Sequence, residues 1–168
     1  MSSNVLAACI TATVAVGIAV LGALSAYFAS KRERRRLVYS EAVKSATSWH
    51  EMLYRVRRRH SGQEVDLVDR FHELQDELSF HHAWIGSESR YMKRSYDRLV
   101  AGSKERTAAL IVAAWDAPIR PIPGNALPDD KHPDLSDLTD AFLLDVRSHL
   151  SPIFLRKISV MWRNRKPA

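Results

Sequence analysis

The stretch "VLAACITATVAVGIAVLGALSAYFASKRERRR", residues 5–36, decides how the rest of the chain is read. Its first 26 residues, 5–30, contain no formal charge, and its last six contain five basic side chains and one acid. As a helix the uncharged run is ~39 Å long, against a bilayer hydrocarbon core of ~30 Å. It predicts a membrane-spanning helix with length to spare for tilt. A cleaved signal peptide would carry a basic start and an apolar run of only ~7–15 residues. Here Met1–Asn4 has no charged side chain, and the run is much longer.

Orientation follows from the flanks. Lys31, Arg32, Arg34, Arg35 and Arg36 stand after the run, with Glu33 alone opposing them. Basic residues favour the cytoplasmic side, so the reading places the N-terminus outside and residues 31–168 in the cytoplasm at the inner membrane. Near anionic headgroups each basic residue contributes ~1 kcal/mol. The one cysteine, Cys9, lies in the apolar run, which excludes a disulfide framework in the remainder.

Within the run, Ala8, Ala12, Ala15, Ala19, Gly22 and Ala26 repeat at spacings of four and three. Small residues at this period let two helices approach closely in lipid, which predicts a self-associating anchor. Alanine and glycine are abundant here, and chance composition would produce a similar stripe.

Beyond residue 30 the chain reads as all-α: a small antiparallel helical bundle following the single transmembrane helix. No Gly or Pro occurs between Ala23 and Ser61, and Val38, Ala42, Trp49, Leu53 and Val56 recur at helical spacing. "SGQE", residues 61–64, ends that helix. A second carries Leu67, Phe71, Leu74, Leu78, His81 and Ile85, with Gly86 as its stop and Ser87 as the next N-cap. A third carries Tyr91, Leu99, Leu110, Ile111 and Trp115, weakened at Gly102. The proline-rich segment 116–133 is expected to run extended. Asp134 or Ser136 caps a fourth helix with Leu135, Leu138, Phe142, Val146 and Leu150. The organisation is therefore 1–30 anchor, 31–115 long helices, 116–133 extended segment, and 134–168 C-terminal helix or helices with a basic tail.

Charge alternates in blocks: net +7 over 31–60, −5 over 61–86, +3 over 87–115, −4 over 116–151 and +5 over 152–168, giving +6 overall. Alternation suits neighbouring antiparallel helices and specifies pairing more than it stabilises. The densest basic cluster far from the membrane is "YRVRRRH", residues 54–60. Arg55, Arg57, Arg58 and Arg59 form a candidate surface for an acidic partner. The competing reading is intramolecular, with Glu64, Asp66 and Asp69 just beyond the turn. If the helix continued unbroken, Arg59 would lie ~44 Å past Ser30, several Debye lengths from headgroups.

Catalytic chemistry finds little support. The segment "DRFHELQDELSFHHAW", residues 69–84, sets Glu73, Glu77 and His81 on one helical line, but the zinc pattern fails because "HELQD" ends in Asp. Asp69 and His72 form one carboxylate–histidine pair without the second copy that a di-metal bundle needs. Neither a Gly-rich phosphate loop nor a GxSxG motif occurs. No enzyme activity, cofactor or metal is expected. Nucleic acid is not expected as a partner either, since no recognition signature accompanies the basic ends. The tail "SPIFLRKISVMWRNRKPA", residues 151–168, has Phe154, Leu155, Ile158, Met161 and Trp162 near one face. It reads equally as an interfacial helix or as a last helix packed on the bundle.

Residues 71–100, "FHELQDELSFHHAWIGSESRYMKRSYDRLV", together with "EMLYRVRRR" at 51–59, resemble uncharacterised single-pass membrane proteins of actinobacteria and their phages. The resemblance implies the architecture and no activity. The expected function is a non-enzymatic scaffold or adaptor whose partners are the lipid bilayer, a second copy of the chain and an unidentified protein. The alternative is a small phage or defence-type effector that perturbs the bilayer through an oligomerised anchor.

Overall fold

The computed structural model describes residues 3–119, 133–151 and 154–165, and the side chains of all these except 3–11 and 154–157. Every regular element among them is helical: α1 Ser3–Arg57, α2 Glu64–Glu88, α3 Arg90–Asp116, α4 Ser136–His149 and α5 Phe154–Arg163. Most of the proline-rich segment, 120–132, lies outside the described residues. The chain divides into two compact units, Met1–Leu37 and Val38–Ala168.

The first unit is the apolar part of α1 with its arginine block. From Ala12 onward its side chains are exposed, apart from half-buried Arg35, and include Val14, Val16, Ile18, Leu21 and Phe28. It belongs to the one helix among the described residues that is long and apolar enough to cross a membrane. Water is a poor neighbour for so much exposed apolar surface.

In the second unit the core follows from side chains at helical spacing. The main cluster takes Tyr39, Ala42 and Ala46 from α1, Leu78 and Ile85 from α2, Met92, Tyr96 and Leu99 from α3, Phe142 and Val146 from α4, and Val160 from α5. Two smaller clusters lie around Met52, Leu67 and Leu74, and around Leu53, Val56 and Ala114. Each fully buried large side chain contributes about 1.5–3 kcal/mol. Tyr39 is central to one end of this core: its ring centroid lies 6.1 Å from Trp84, 6.2 Å from Phe142 and 6.2 Å from His149. Helix α2 packs on α3, α3 on α4, and α5 on α4 and α3.

The joints are short and specific. Gly62 takes a left-handed φ of +90° in the α1–α2 turn, a conformation that side chains disfavour. Helices α2 and α3 meet at one extended residue, Ser89, which ends the first and caps the second. Its hydroxyl accepts from the Met92 N–H at 3.4 Å. This corrects the sequence reading of Gly86 as a stop and Ser87 as the cap. Gly86 stays inside α2, and the Ser87 hydroxyl donates instead to the Trp84 carbonyl at 2.6 Å.

Helix α3 likewise runs through Gly102 without a break. A Cβ there would stand 2.6 Å from Cδ1 of Leu138, so the glycine is the seat on which α4 approaches α3. At the start of α4 the Asp134 carboxylate accepts from the N–H of Ser136 at 2.8 Å and from its hydroxyl at 2.8 Å. These bonds hold the Asp134 carboxyl below its usual range. Arg106 of α3 grips Asp137 through both guanidinium nitrogens at 2.6 Å. The pairing lowers the Asp137 pKa to about 2.

Candidate interaction surfaces

The basic run 54–60 sits where α1 ends and turns toward α2, and its four arginines have different fates. Arg55 and Arg58 are exposed and Arg57 is half-buried. Arg58 lies over the Tyr54 ring with its guanidinium carbon 5.3 Å from the centroid. Tyr54, Arg55 and Arg58, with Glu51, Gln63, Asp66, Leu67 and Arg70, line an open groove of about 450 Å³. Arg59, in contrast, is only 7 % exposed. It donates to the carbonyls of Val56 at 3.0 Å, Ala114 at 2.6 Å, Trp115 at 2.7 Å and Ala117 at 2.6 Å. These include the last carbonyls of α3, which have no partner within the helix, and a cation there complements the helix dipole. Arg59 is therefore a cap inside the fold and presents no charge to a partner.

Of the acids just beyond the turn, Glu64 accepts from the Gly62 N–H at 2.9 Å, and Asp66 lines the same groove as Arg55 and Arg58. In α2 it is Arg70 that pairs with Glu73 at 2.7 Å and Glu77 at 3.4 Å, which raises the Arg70 pKa.

Next along α2, Glu73, Asp76, Glu77, Phe80 and His81 form a shallow face with Glu41 of α1. Glu77 also accepts from the Ser45 hydroxyl at 3.0 Å. His81 is buried and its Nδ1 meets no partner. Burial pushes its pKa down, while Glu41 and Glu77 pull the other way. No group of three His, Cys, Asp or Glu residues among the described ones is arranged to hold a metal ion. Phe80 projects from this face, 62 % exposed.

A polar network that the sequence reading missed fastens α5. Asp145, in the middle of α4, is 3 % exposed. Its carboxylate accepts from Ser95 Oγ at 2.7 Å, Asn164 Nδ2 at 2.8 Å and Arg163 Nε at 2.8 Å. Arg98 donates to Asn164 Oδ1, and Arg94 donates to the Asn164 and Arg165 carbonyls at 3.0 and 2.6 Å. Val160 and Asn164 are fully buried. The tail thus packs on the helices through Val160 and Asn164, while Met161 and Trp162 face outward. Of the apolar tail residues read from sequence, the side chains of Phe154 and Leu155 lie outside the described set.

In the first unit Lys31, Arg32, Arg34 and Arg36 are exposed and Arg35 is half-buried. Arg36 lies 3.6 Å from Glu33. Ala12, Ala15, Ala19, Gly22 and Ala26 are exposed, and the side chain of Ala8 lies outside the described residues. A Cβ on Gly22 would meet nothing within 4 Å. The Ser25 hydroxyl is satisfied by the Gly22 carbonyl at 2.8 Å.

Comparison with protein-family profiles, with curated proteins and with solved structures found no match.

Proposed function

We propose that the chain is a membrane-anchored helical bundle that serves as a non-enzymatic interaction module at the inner face of the membrane. The observation that carries this reading is the exposed, uncharged surface of α1 from Ala12 to Ser30, followed at once by the block from Lys31 to Arg36. Exposed apolar helix needs an apolar solvent, and the arginine block selects the cytoplasmic side. The bundle then offers partners its open arginine surface at Arg55 and Arg58 and the exposed Phe80.

Self-association through Ala12, Ala15, Ala19 and Gly22 is part of the proposal. Close packing of small residues is what brings helices together in lipid. A pore-forming effector is the less favoured reading. The polar side chains of the run are few, and Ser25 already donates within its own helix.

Topology is tested by cysteine accessibility in intact cells in a Cys9→Ala background. Ser2→Cys should react with an impermeant maleimide, and Ser61→Cys, on the exposed α1–α2 turn, should react only after lysis. The reverse pattern overturns the orientation. Function class is tested by in-cell crosslinking from Arg55 and Phe80 positions with mass spectrometry. Dye leakage on expression, abolished by deleting residues 5–30, would favour the effector.

Association is tested with Ala15→Leu plus Ala19→Leu against Val14→Leu plus Ile18→Leu. Both pairs keep the run apolar, so insertion is preserved. Only the first pair should lower dimer crosslinking, and equal behaviour would remove the stripe from the proposal.

A further inference from the structure

The outward side of α5 and the start of α3 together make a basic, aromatic surface. Arg90, Tyr91 and Arg94 of α3 face Met161, Trp162 and Arg165 across an open groove of about 470 Å³ whose lining contains no acid. Trp162 is 70 % exposed and Met161 44 %. Arg90 stacks over the Tyr91 ring, 4.9 Å from its centroid, and Arg165 lies 5.9 Å from that of Trp162. Arg94 is committed elsewhere, holding the Asn164 and Arg165 carbonyls. The groove therefore offers two stacked, exposed guanidinium groups beside an indole and a thioether.

We propose that this groove docks on the anionic headgroups of the bilayer that holds the anchor. The proposal rests on residues 5–30 being a membrane span. Charge is the first argument: residues 152–168 carry five basic side chains and no acid. Chemistry is the second. Tryptophan and arginine each present an apolar body and a polar end, the combination that settles at headgroup depth. Reach is the third. Tyr39 donates to Glu88 at 3.1 Å, and Arg90 follows Glu88 by two residues, so the groove lies at the end of the unit where the chain enters. Nine residues link Ser30 to Tyr39, at most ~30 Å of chain even when fully extended. Such a short tether makes docking effectively intramolecular.

The test uses the full chain, Cys9→Ala with a bimane label on Met161→Cys, in nanodiscs of phosphatidylcholine or of an equimolar mixture with phosphatidylglycerol. Acyl-chain-brominated lipid is the quencher. Quenching is expected at position 161 in the anionic mixture and lost in phosphatidylcholine alone. A label on Val65→Cys, at the opposite end of α2, should not respond. Arg90→Gln with Arg165→Gln should weaken docking about 25-fold, roughly fivefold per arginine. Should the label itself disturb α5, the difference in tryptophan quenching between the parent and Trp162→Phe reads the same contact. Equal quenching in both lipids, or none in the anionic mixture, overturns the proposal. So does shielding of the label by a crosslinkable protein regardless of lipid. Resistance to a carbonate wash is scored separately: protein that washes off overturns the anchor reading and this proposal with it, whereas retained but unquenched protein overturns only the docking.

Discussion

Arg59 lies 2.6 Å from the Ala114 carbonyl, joining the end of α1 to the last turn of α3 across 55 positions of sequence. The guanidinium is planar and carries five donors, so it can serve four carbonyls at once, whereas an ammonium has three donors and a thioether none. Arg59→Met should therefore destabilise the chain by about 2–4 kcal/mol, the scale of losing charged hydrogen bonds to buried acceptors. Arg55→Ala and Arg58→Ala, on the exposed side of the same run, should each stay within about 0.5 kcal/mol. Denaturant melts in one detergent compare them directly. A loss for Arg59→Met no greater than for the two surface variants would refute its role as a cap.

Asp145 supplies the second test. Ser95 and Asn164 are both buried and both donate to its carboxylate. Asp145→Ala strands those two donors and should cost about 2–4 kcal/mol. In a double-mutant cycle Asp145→Ala and Asn164→Ala should fall short of additivity, because the second change removes a partner already lost. Strict additivity would show that the network is not one unit.

Gly102 and Leu138 make a steric pair. An alanine at 102 gains about 1 kcal/mol in helix propensity. Its Cβ then meets Leu138 Cδ1 at 2.6 Å and Cδ2 at 3.1 Å, an overpacking of about 1–3 kcal/mol. The net result should be a small loss for Gly102→Ala in the parent, and a gain when Leu138→Ala has cleared the space. Thermal melts of the four proteins give the sign change directly. Its absence would mean that α4 shifts freely over α3.

His81 makes stability depend on pH. Its folded pKa lies below the ordinary value because burial opposes the charged form. An unfolded histidine takes its proton near pH ~6.5. Between that value and the lower folded one, the unfolded chain binds more protons, so stability falls as pH falls through this window and levels off below it. Comparing melts at about pH 7.5 and pH 5.5, the parent should lose more than His81→Leu, whose side chain also removes the unpartnered Nδ1. An equal loss in both proteins would place the pH dependence elsewhere.

Much of the second unit was legible because helical spacing is local. Leu67, Leu74, Leu78, His81 and Ile85 form one buried row on α2, as their spacing predicts. Leu135, Phe142 and Val146 do the same before and along α4. Errors arose where a residue's meaning depends on distant chain. Gly86 read as a helix stop and Gly102 as a weak point because glycine disfavours helices. In the fold each faces a side chain from another helix, Lys93 at 3.1 Å and Leu138 at 2.6 Å from a built Cβ. Asp145 drew no reading from sequence, since its partners Ser95 and Asn164 stand 50 and 19 positions away. In a run of like arginines, nothing local marks Arg59 as the one that turns inward. Ser103 and Thr107, both buried on α3, also escaped a reading that follows only large apolar residues.

The Asp145 network also sets an order of events during synthesis. Ser95 leaves the ribosome well before α4, but Asn164 emerges 19 residues after Asp145. Until then the carboxylate cannot sit in its native place without an incomplete set of donors, and α4 has reason to stay undocked. Helices α1 to α3, joined by a tight turn and the single residue Ser89, can pair while that happens. A chain released without α5 would thus hold its first helices together while its fourth still showed Phe142 and Val146, which the complete fold buries. Docking of α5 is the step that brings Asn164 to Asp145 and completes the donor set.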